Sequence, residues 1–317
     1  MTNNEQPTPS HMLDLKEWSK DNALNIFRTA DEMSQILGRT IKKVPALQGF
    51  TVANLFFENS TRTKLSFERA AKALSADVMN FSASSSSLSK GESLKDTLRT
   101  LDAMQADLYI VRHGVSGAPY QLQKWTNAAI VNAGDGRRAH PTQALLDAFT
   151  FRTSFPNFDG FGGKKLVIVG DLMHSRVVRS NVELWTKLGA QVTLCGPNSL
   201  VPPALAAFEG VERNLNLAEA VEGAHAVMAV RIQHERMQKG LFPSLAEYRM
   251  RYQLNEKIME RAHPDALVMH PGPMNRDIEI SGSLADSERS VIEKQVANGI
   301  PIRMAVLYTL LVGRKKS

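Results

Sequence analysis

The sequence predicts an α/β protein built from two open parallel-sheet domains, each flanked by helices, with an active-site cleft between them. Three observations carry that expectation. The chain has 317 residues, well beyond a usual single domain of roughly 100–150. Short, nearly continuous apolar runs recur along it, as in strands covered on both faces. Segments of helical spacing lie between them, and polar clusters follow the runs where open parallel sheets bind ligands.

The opening MTNNEQPTPSHM has neither the basic nor the apolar region of a signal peptide and reads as a flexible lead-in. A helix is expected from near Asp21, with Leu24, Phe27 and Met33 on its apolar face. The strand candidates of the first half are TVANLFF, DVMNFS, DLYIVRH and AAIVNAG, with the amphipathic LKDTLRTLDAM among them. A helical run starts at Pro141, where the missing N–H of proline removes no helix bond. The breaker-rich SFPNFDGFGGKK follows, so the main boundary is expected between Thr150 and Gly163, giving domains 1–150 and 151–317.

The second half repeats the pattern with KKLVIVGD, AQVTLCG, HAVMAVR and DALVMHPG. In VVRSNVELWTKLG, Val178, Val182 and Trp185 fall at helical offsets and Gly189 is the stop. A last helix, about 288–312, is expected to pack back on the first domain. Its apolar run from Met304 to Val312 is far too short to span a bilayer.

Bulk composition narrows the function classes. One cysteine, Cys195, excludes an internal disulfide framework and fits a reducing compartment, so a cytoplasmic enzyme is expected. The net charge of +6 suits either nucleic acid or a small polyanion. Basic residues form no long block; only RR at 137–138 and the terminal RKK are compact, and neither alternates with aromatics. A basic nucleic-acid-binding protein is therefore the different-class alternative. GFGGKK lacks the spacing of a phosphate loop, DLMHSR lacks GxGxxG, and neither HExxH nor a Cys/His cluster is present. A metal site and a redox cofactor are not expected.

The candidate site residues follow the strands. FENSTRTKLSFE places Ser60, Thr61, Arg62 and Thr63 at a strand–helix junction, where backbone N–H groups and the helix dipole favour an anion. On the residues alone, simple N-capping by Ser60 or Thr61 explains the same stretch equally well. SASSSSLSKGES offers Lys90 at the tip of a small-residue loop. Arg112 and His140 end two further strands, where they can stabilise charge on a carbonyl oxygen, and Gln143 lies on the adjoining helical turn. In the second half, Arg176 and Arg231 are bidentate carboxylate donors, with Gln233 beside the latter. MHPGPMNRDIEI can aim backbone carbonyls into a cleft, with Arg276 assisting an anion.

FENSTRTKLSFE, RAHPTQALLD, GDLMHSR, RIQHER and HPGPMNRDIEI together resemble the aspartate/ornithine carbamoyltransferase family, from about Leu13 to the C-terminal helix. STRT and HPTQ mark the wider family. SSLSKGES, RIQHER and HPGPMNR are similar to its aspartate branch, aspartate carbamoyltransferase. The resemblance implies a carbamoyl-phosphate domain, 1–150, and an aspartate domain, 151–317, working without a cofactor. The reaction would carry the carbamoyl group of carbamoyl phosphate to the amine of L-aspartate in de novo pyrimidine synthesis. A different acceptor such as ornithine is the alternative within the family.

By the same resemblance, Ser60, Thr61, Arg62 and Thr63 would hold the phosphate. Arg112, Thr63 and His140 would polarise the carbamoyl carbonyl, and Gln143 would hold its nitrogen. Arg176, Arg231, Gln233 and Lys90 would bind aspartate. Carbonyls around Pro271, Gly272 and Pro273 would orient the nitrogens, across a cis Gly272–Pro273 bond. The family's homotrimers share active sites, so Lys90 and either Ser86 or Ser87 would enter the neighbouring subunit's site. Regulatory or dihydroorotase-like partner chains stay open, and neither nucleic acid nor a membrane is implied as a partner.

Overall fold

The computed structural model describes residues 8–82, 92–233 and 244–312. The chain divides into two compact units, Met1–Leu146 with Val296–Ser317, and Asp147–Gln295. Their sheets are wholly parallel and the C-terminal helix returns to the first unit, so the two expected parallel-sheet domains and the returning helix are found.

The first unit begins with α1 (Lys20–Leu37), β1 (Thr51–Phe56), α2 (Thr61–Ala73) and β2 (Asp77–Ser82). It continues through α3 (Leu94–Ala103), β3 (Leu108–His113), α4 (Ala118–Gln123) and β4 (Ala129–Asp135). α5 (Pro141–Arg152) runs from this unit into the next. Strand order is β2-β1-β3-β4. Every residue of β4 is buried, which explains why AAIVNAG reads as a nearly continuous apolar run, broken only by Asn132. In α1, Phe27 and Met33 are buried as expected, with Ile26 rather than Leu24 completing the inner face. The supposed lead-in is partly core. Met12 has no exposed surface and pairs with β4, its N–H donating to Ile130 and its carbonyl accepting from Asn132.

The second unit holds β5 (Lys165–Gly170), α6 (Arg176–Leu188), β6 (Gln191–Cys195), β7 (Val211–Arg213), α7 (Leu217–Val221) and β8 (Ala226–Val230). After these come α8 (Leu245–Tyr252), α9 (Glu256–Met259), β9 (Leu267–Met269) and α10 (Gly282–Ala285). α11 (Ile292–Val312) starts here and ends in the first unit. Strand order is β7-β6-β5-β8-β9. α6 buries Val178, Val182 and Trp185 and stops at Gly189, whose φ of 97° is left-handed. Cys195 is fully buried at the end of β6, and burial pushes its thiol up to about 12.

One strand is added and one boundary shifts. The edge strand β7, three residues long, is too short to show a period and is not among the expected strands. The last helix begins at Ile292 rather than near 288, because Ser290 and Val291 instead pair with Val268 at the end of the sheet. By length and composition α11 is apolar enough to cross a membrane, yet most of that stretch is buried in the protein. Ile302 and Met304 to Leu307 have no exposed surface, and Arg303 donates to Ser66 Oγ at 2.6 Å while its guanidinium covers Phe67. α11 is thus a core helix that braces α2.

Candidate active site

In each sheet the strand order reverses at one point, between β1 and β3 in the first and between β5 and β8 in the second. Chains leaving the carboxyl ends of such neighbours diverge and leave a crevice. Ser60 to Thr63, Arg112, Arg176, Arg231 and Gln233 lie at or beyond the ends of these switch-point strands, whereas His140 and Gln143 follow β4 and Gly272 and Pro273 follow β9.

In the first unit, α2 follows β1 after the short connection from Phe57 to Ser60. Its N-cap Ser60 makes no side-chain cap bond, and no acidic residue lies in the first turn. The capping alternative therefore does not account for this hydroxyl. The first-turn N–H groups and the positive end of the helix dipole stand beside it. Thr63 is buried, whereas Thr61 and Arg62 are exposed. Across the switch point Arg112 lies in register with Phe56. Its Nη1 donates to the Ala133 carbonyl at 3.1 Å, and its Nε is 3.6 Å from Glu58 Oε2. This pair is mostly buried, so the guanidinium is aimed before any ligand arrives.

His140 follows β4, is 3% exposed, and opens α5: its carbonyl accepts from the Gln143 and Ala144 N–H groups. Gln143 is buried one turn on. The connection to His140 is organised by Asp135, a residue with no role in the sequence reading. Asp135 Oδ1 accepts from Asn132 Nδ2 at 2.8 Å and from the Ala139 N–H at 3.0 Å, and Oδ2 accepts from the Gly117 N–H at 2.6 Å. Burial pushes its carboxyl above the usual range, while these donors pull it back. One carboxylate so joins the loops after β3 and β4.

The second unit repeats the device. Arg176 is the first residue of α6, 5% exposed, behind the N-cap Ser175, which accepts from Val178. Arg231 and Gln233 follow β8 and are half-buried. Fully buried Asp171 links the two exits: it accepts from His174 Nδ1 at 2.9 Å and from the Gln233 N–H at 3.2 Å. At the switch point itself only glycine fits, since a Cβ on Gly170, at φ +134°, would lie 2.2 Å from the Val230 carbonyl oxygen. The signal for both carboxylates is a strand-ending Gly–Asp pair, NAGD and IVGD, one in each sheet.

Beyond β9, the Gly272–Pro273 bond is cis and Gly272 has φ 66°. Arg276, expected to assist an anion, has both terminal nitrogens 2.7 Å from Asp286 carboxylate oxygens in an exposed pair. Ser86, Ser87 and Lys90 lie outside the described residues. Within the units, Ser60–Thr63, Arg112, His140 and Gln143 share the carboxyl edge of the first sheet. Arg176, Arg231, Gln233, Gly272 and Pro273 share that of the second. Cationic and amide donors on the first edge suit a phosphorylated carbonyl compound, and the paired arginines on the second suit a dicarboxylate. Among the described residues, no group of three or more His, Cys, Asp or Glu could hold a metal ion.

Residues 10–153 match the aspartate/ornithine carbamoyltransferase carbamoyl-P binding domain, and residues 162–310 match the Asp/Orn binding domain of the same family. The aspartate carbamoyltransferase catalytic subunit of Deinococcus radiodurans is 55% identical over 308 residues, covering 97% of each chain. Among solved structures, aspartate transcarbamoylase of Trypanosoma cruzi in complex with N-(phosphonacetyl)-L-aspartic acid superposes with a TM-score of 0.84 at 29% identity, covering 96% of this chain and 97% of that one. Ornithine carbamoyltransferase of Pyrococcus furiosus gives 0.83 at 27% identity, covering 96% and 97%.

Proposed function

Because the chain belongs to the aspartate/ornithine carbamoyltransferase family, we propose that it transfers the carbamoyl group of carbamoyl phosphate to the amine of L-aspartate, yielding N-carbamoyl-L-aspartate and phosphate for pyrimidine synthesis. The observation that carries the reading is the uncapped start of α2, where Ser60 makes no side-chain cap bond, beside the pre-aimed Arg112. The 55% identity to an aspartate-using relative favours aspartate over ornithine as acceptor.

Domains 1–150 and 151–317 divide the work, with the C-terminal helix of the latter packed back on the former. Backbone N–H groups and hydroxyls of Ser60, Thr61 and Thr63 hold the phosphate, and Arg62 neutralises it. Arg112, Thr63 and His140 polarise the carbamoyl oxygen, while the Gln143 side-chain carbonyl accepts from the carbamoyl NH₂. Arg176 and Arg231 each take a carboxylate of aspartate, with Gln233 and Lys90 assisting. Carbonyls of Pro271 and Gly272 orient the incoming amine. The neutral amine attacks the carbonyl carbon, and the C–N bond forms as the C–O bond to phosphate breaks. Phosphate leaves with the electron pair, and one of its oxygens takes the amine proton. Losing one donor aimed at the developing oxyanion costs about 3 kcal/mol of barrier, and because the amine attacks the carbamoyl carbon directly, no covalent enzyme intermediate is required.

The chain works as a homotrimer in which the loop bearing Ser86, Ser87 and Lys90 completes the neighbouring subunit's site. Its setting is cytoplasmic, a reading supported by the single buried cysteine. Incubation with carbamoyl phosphate and either aspartate or ornithine should release phosphate with aspartate; turnover with ornithine alone would overturn the assignment. Mixing an Arg62→Ala chain with a Lys90→Ala chain should restore activity through one intact shared site. An inert mixture after verified subunit exchange would remove the shared-site reading.

A further inference from the structure

We propose that His270, held in one tautomer by Glu279, is the positioning residue that sets the carbonyls of 271–272 at the acceptor nitrogen; this rests on the carbamoyl-transfer reading above. His270 follows β9 and is 2% exposed, and Glu279 is fully buried. The Gly272 N–H donates to His270 Nδ1 at 2.8 Å. A backbone N–H can only donate, so Nδ1 carries no proton, and the ring proton sits on Nε2. Nε2 faces Glu279 Oε1 at 3.1 Å, and the same oxygen accepts from the Asn275 N–H at 2.6 Å.

The backbone around the turn is therefore fastened at three points. The His270 N–H donates to Gln295 Oε1 at 2.9 Å, and Gln295 Nε2 is itself anchored on Asp147 Oδ1 at 2.7 Å. His270 Nδ1 fixes Gly272, and Glu279 fixes Asn275. Between these points run the two peptide carbonyls that the reaction needs. A buried His–Glu pair is a poor device for stability alone, since an apolar pair of similar volume does as well or better. Its distinct property is direction: the acceptor lone pair of Nδ1 dictates where the Gly272 peptide plane lies.

Two substitutions separate direction from stability. In His270→Asn, the side-chain oxygen takes the place of Nδ1 and keeps the Gly272 bond while losing Glu279. In His270→Gln, the amide nitrogen reaches the place of Nε2 and keeps Glu279 while losing the Gly272 bond. Turnover with saturating substrates, KM for aspartate and thermal unfolding are measured for both beside the wild-type chain. The expected result is a His270→Gln kcat lowered about 100-fold, the penalty of a 1 Å misplacement, with His270→Asn staying within about tenfold even if it melts lower.

Activity that instead tracks melting temperature, or a fully active His270→Gln, overturns the proposal while the function stands. A wild-type chain inert toward carbamoyl phosphate and aspartate overturns the function, and the proposal with it. If His270→Gln does not fold, ¹⁵N-histidine spectra of the wild-type chain, with the resonance assigned by its loss in His270→Asn, read the tautomer directly. A protonated Nδ1 sinks the proposal, and an unprotonated one with a protonated Nε2 upholds it.

Discussion

Replacing Asp135 with alanine should uncouple two loops at once. Three donors lose their acceptor: the Gly117 N–H, the Ala139 N–H and Asn132 Nδ2. Asn132 keeps its bond to the Leu13 carbonyl, and Gly117 is exposed enough to turn to water. Ala139 is 3% exposed, so its N–H is left buried. Hydrogen bonds to a charged acceptor are worth about 1.5–3 kcal/mol each. Relief of the burial that pushes the Asp135 carboxyl up offsets part of that loss. The net expectation is a destabilisation of about 2–4 kcal/mol, or a fall of roughly 5–15 °C in Tm. His140 is the residue after Ala139, so kcat should drop about 100-fold as the imidazole shifts by an ångström. Asp135→Asn is the informative partner. Its oxygen keeps Asn132 and Ala139 and loses only Gly117, for about 1–2 kcal/mol, with most activity retained. Steady-state kinetics and thermal unfolding of both variants suffice. A folded Asp135→Ala chain with wild-type kcat would refute the claim that this carboxylate positions His140.

Gly170→Ala should cost about 3 kcal/mol or more in urea unfolding, since its Cβ, in a backbone conformation nearly reserved for glycine, meets the Val230 carbonyl. Aspartate KM should rise with it, because β5 and β8 carry the arginine exits; a neutral outcome would mean the sheet opens there freely. For pH, burial and the neighbouring His263 hold His225 below 6.5 in the native chain. The unfolded chain then binds more protons, so the contribution of His225 is intact above pH 6.5 and is lost as pH falls through the folded pKa. His225→Asn keeps an acceptor for the Lys165 N–H, and should therefore lose less Tm than wild type between pH 8 and 5. Equal losses would assign acid sensitivity elsewhere.

Strands were legible because parallel strands are buried on both faces: TVANLFF, KKLVIVGD and HAVMAVR are nearly solid apolar runs. Charged residues at their exits were legible for the complementary reason, since a bland core would not keep Arg112 or Arg176 there. Hidden from the sequence was the second tier of polar groups. Asp171 and Gln233 are 62 positions apart, and His270 meets Gln295 from 25 away. No local period encodes such bonds, because the fold alone brings the partners together. The same holds for Met12, whose backbone joins β4 from a segment that looks like a tail.

Cys195 has a practical corollary. Its sulfur is sealed within the second unit's core and is a reluctant thiolate, so alkylating reagents should pass the native chain by. A cysteine introduced at an exposed position such as Met250 would then take a fluorophore or spin label with no background, and the chain comes ready for distance measurements without first being stripped of its own sulfhydryl.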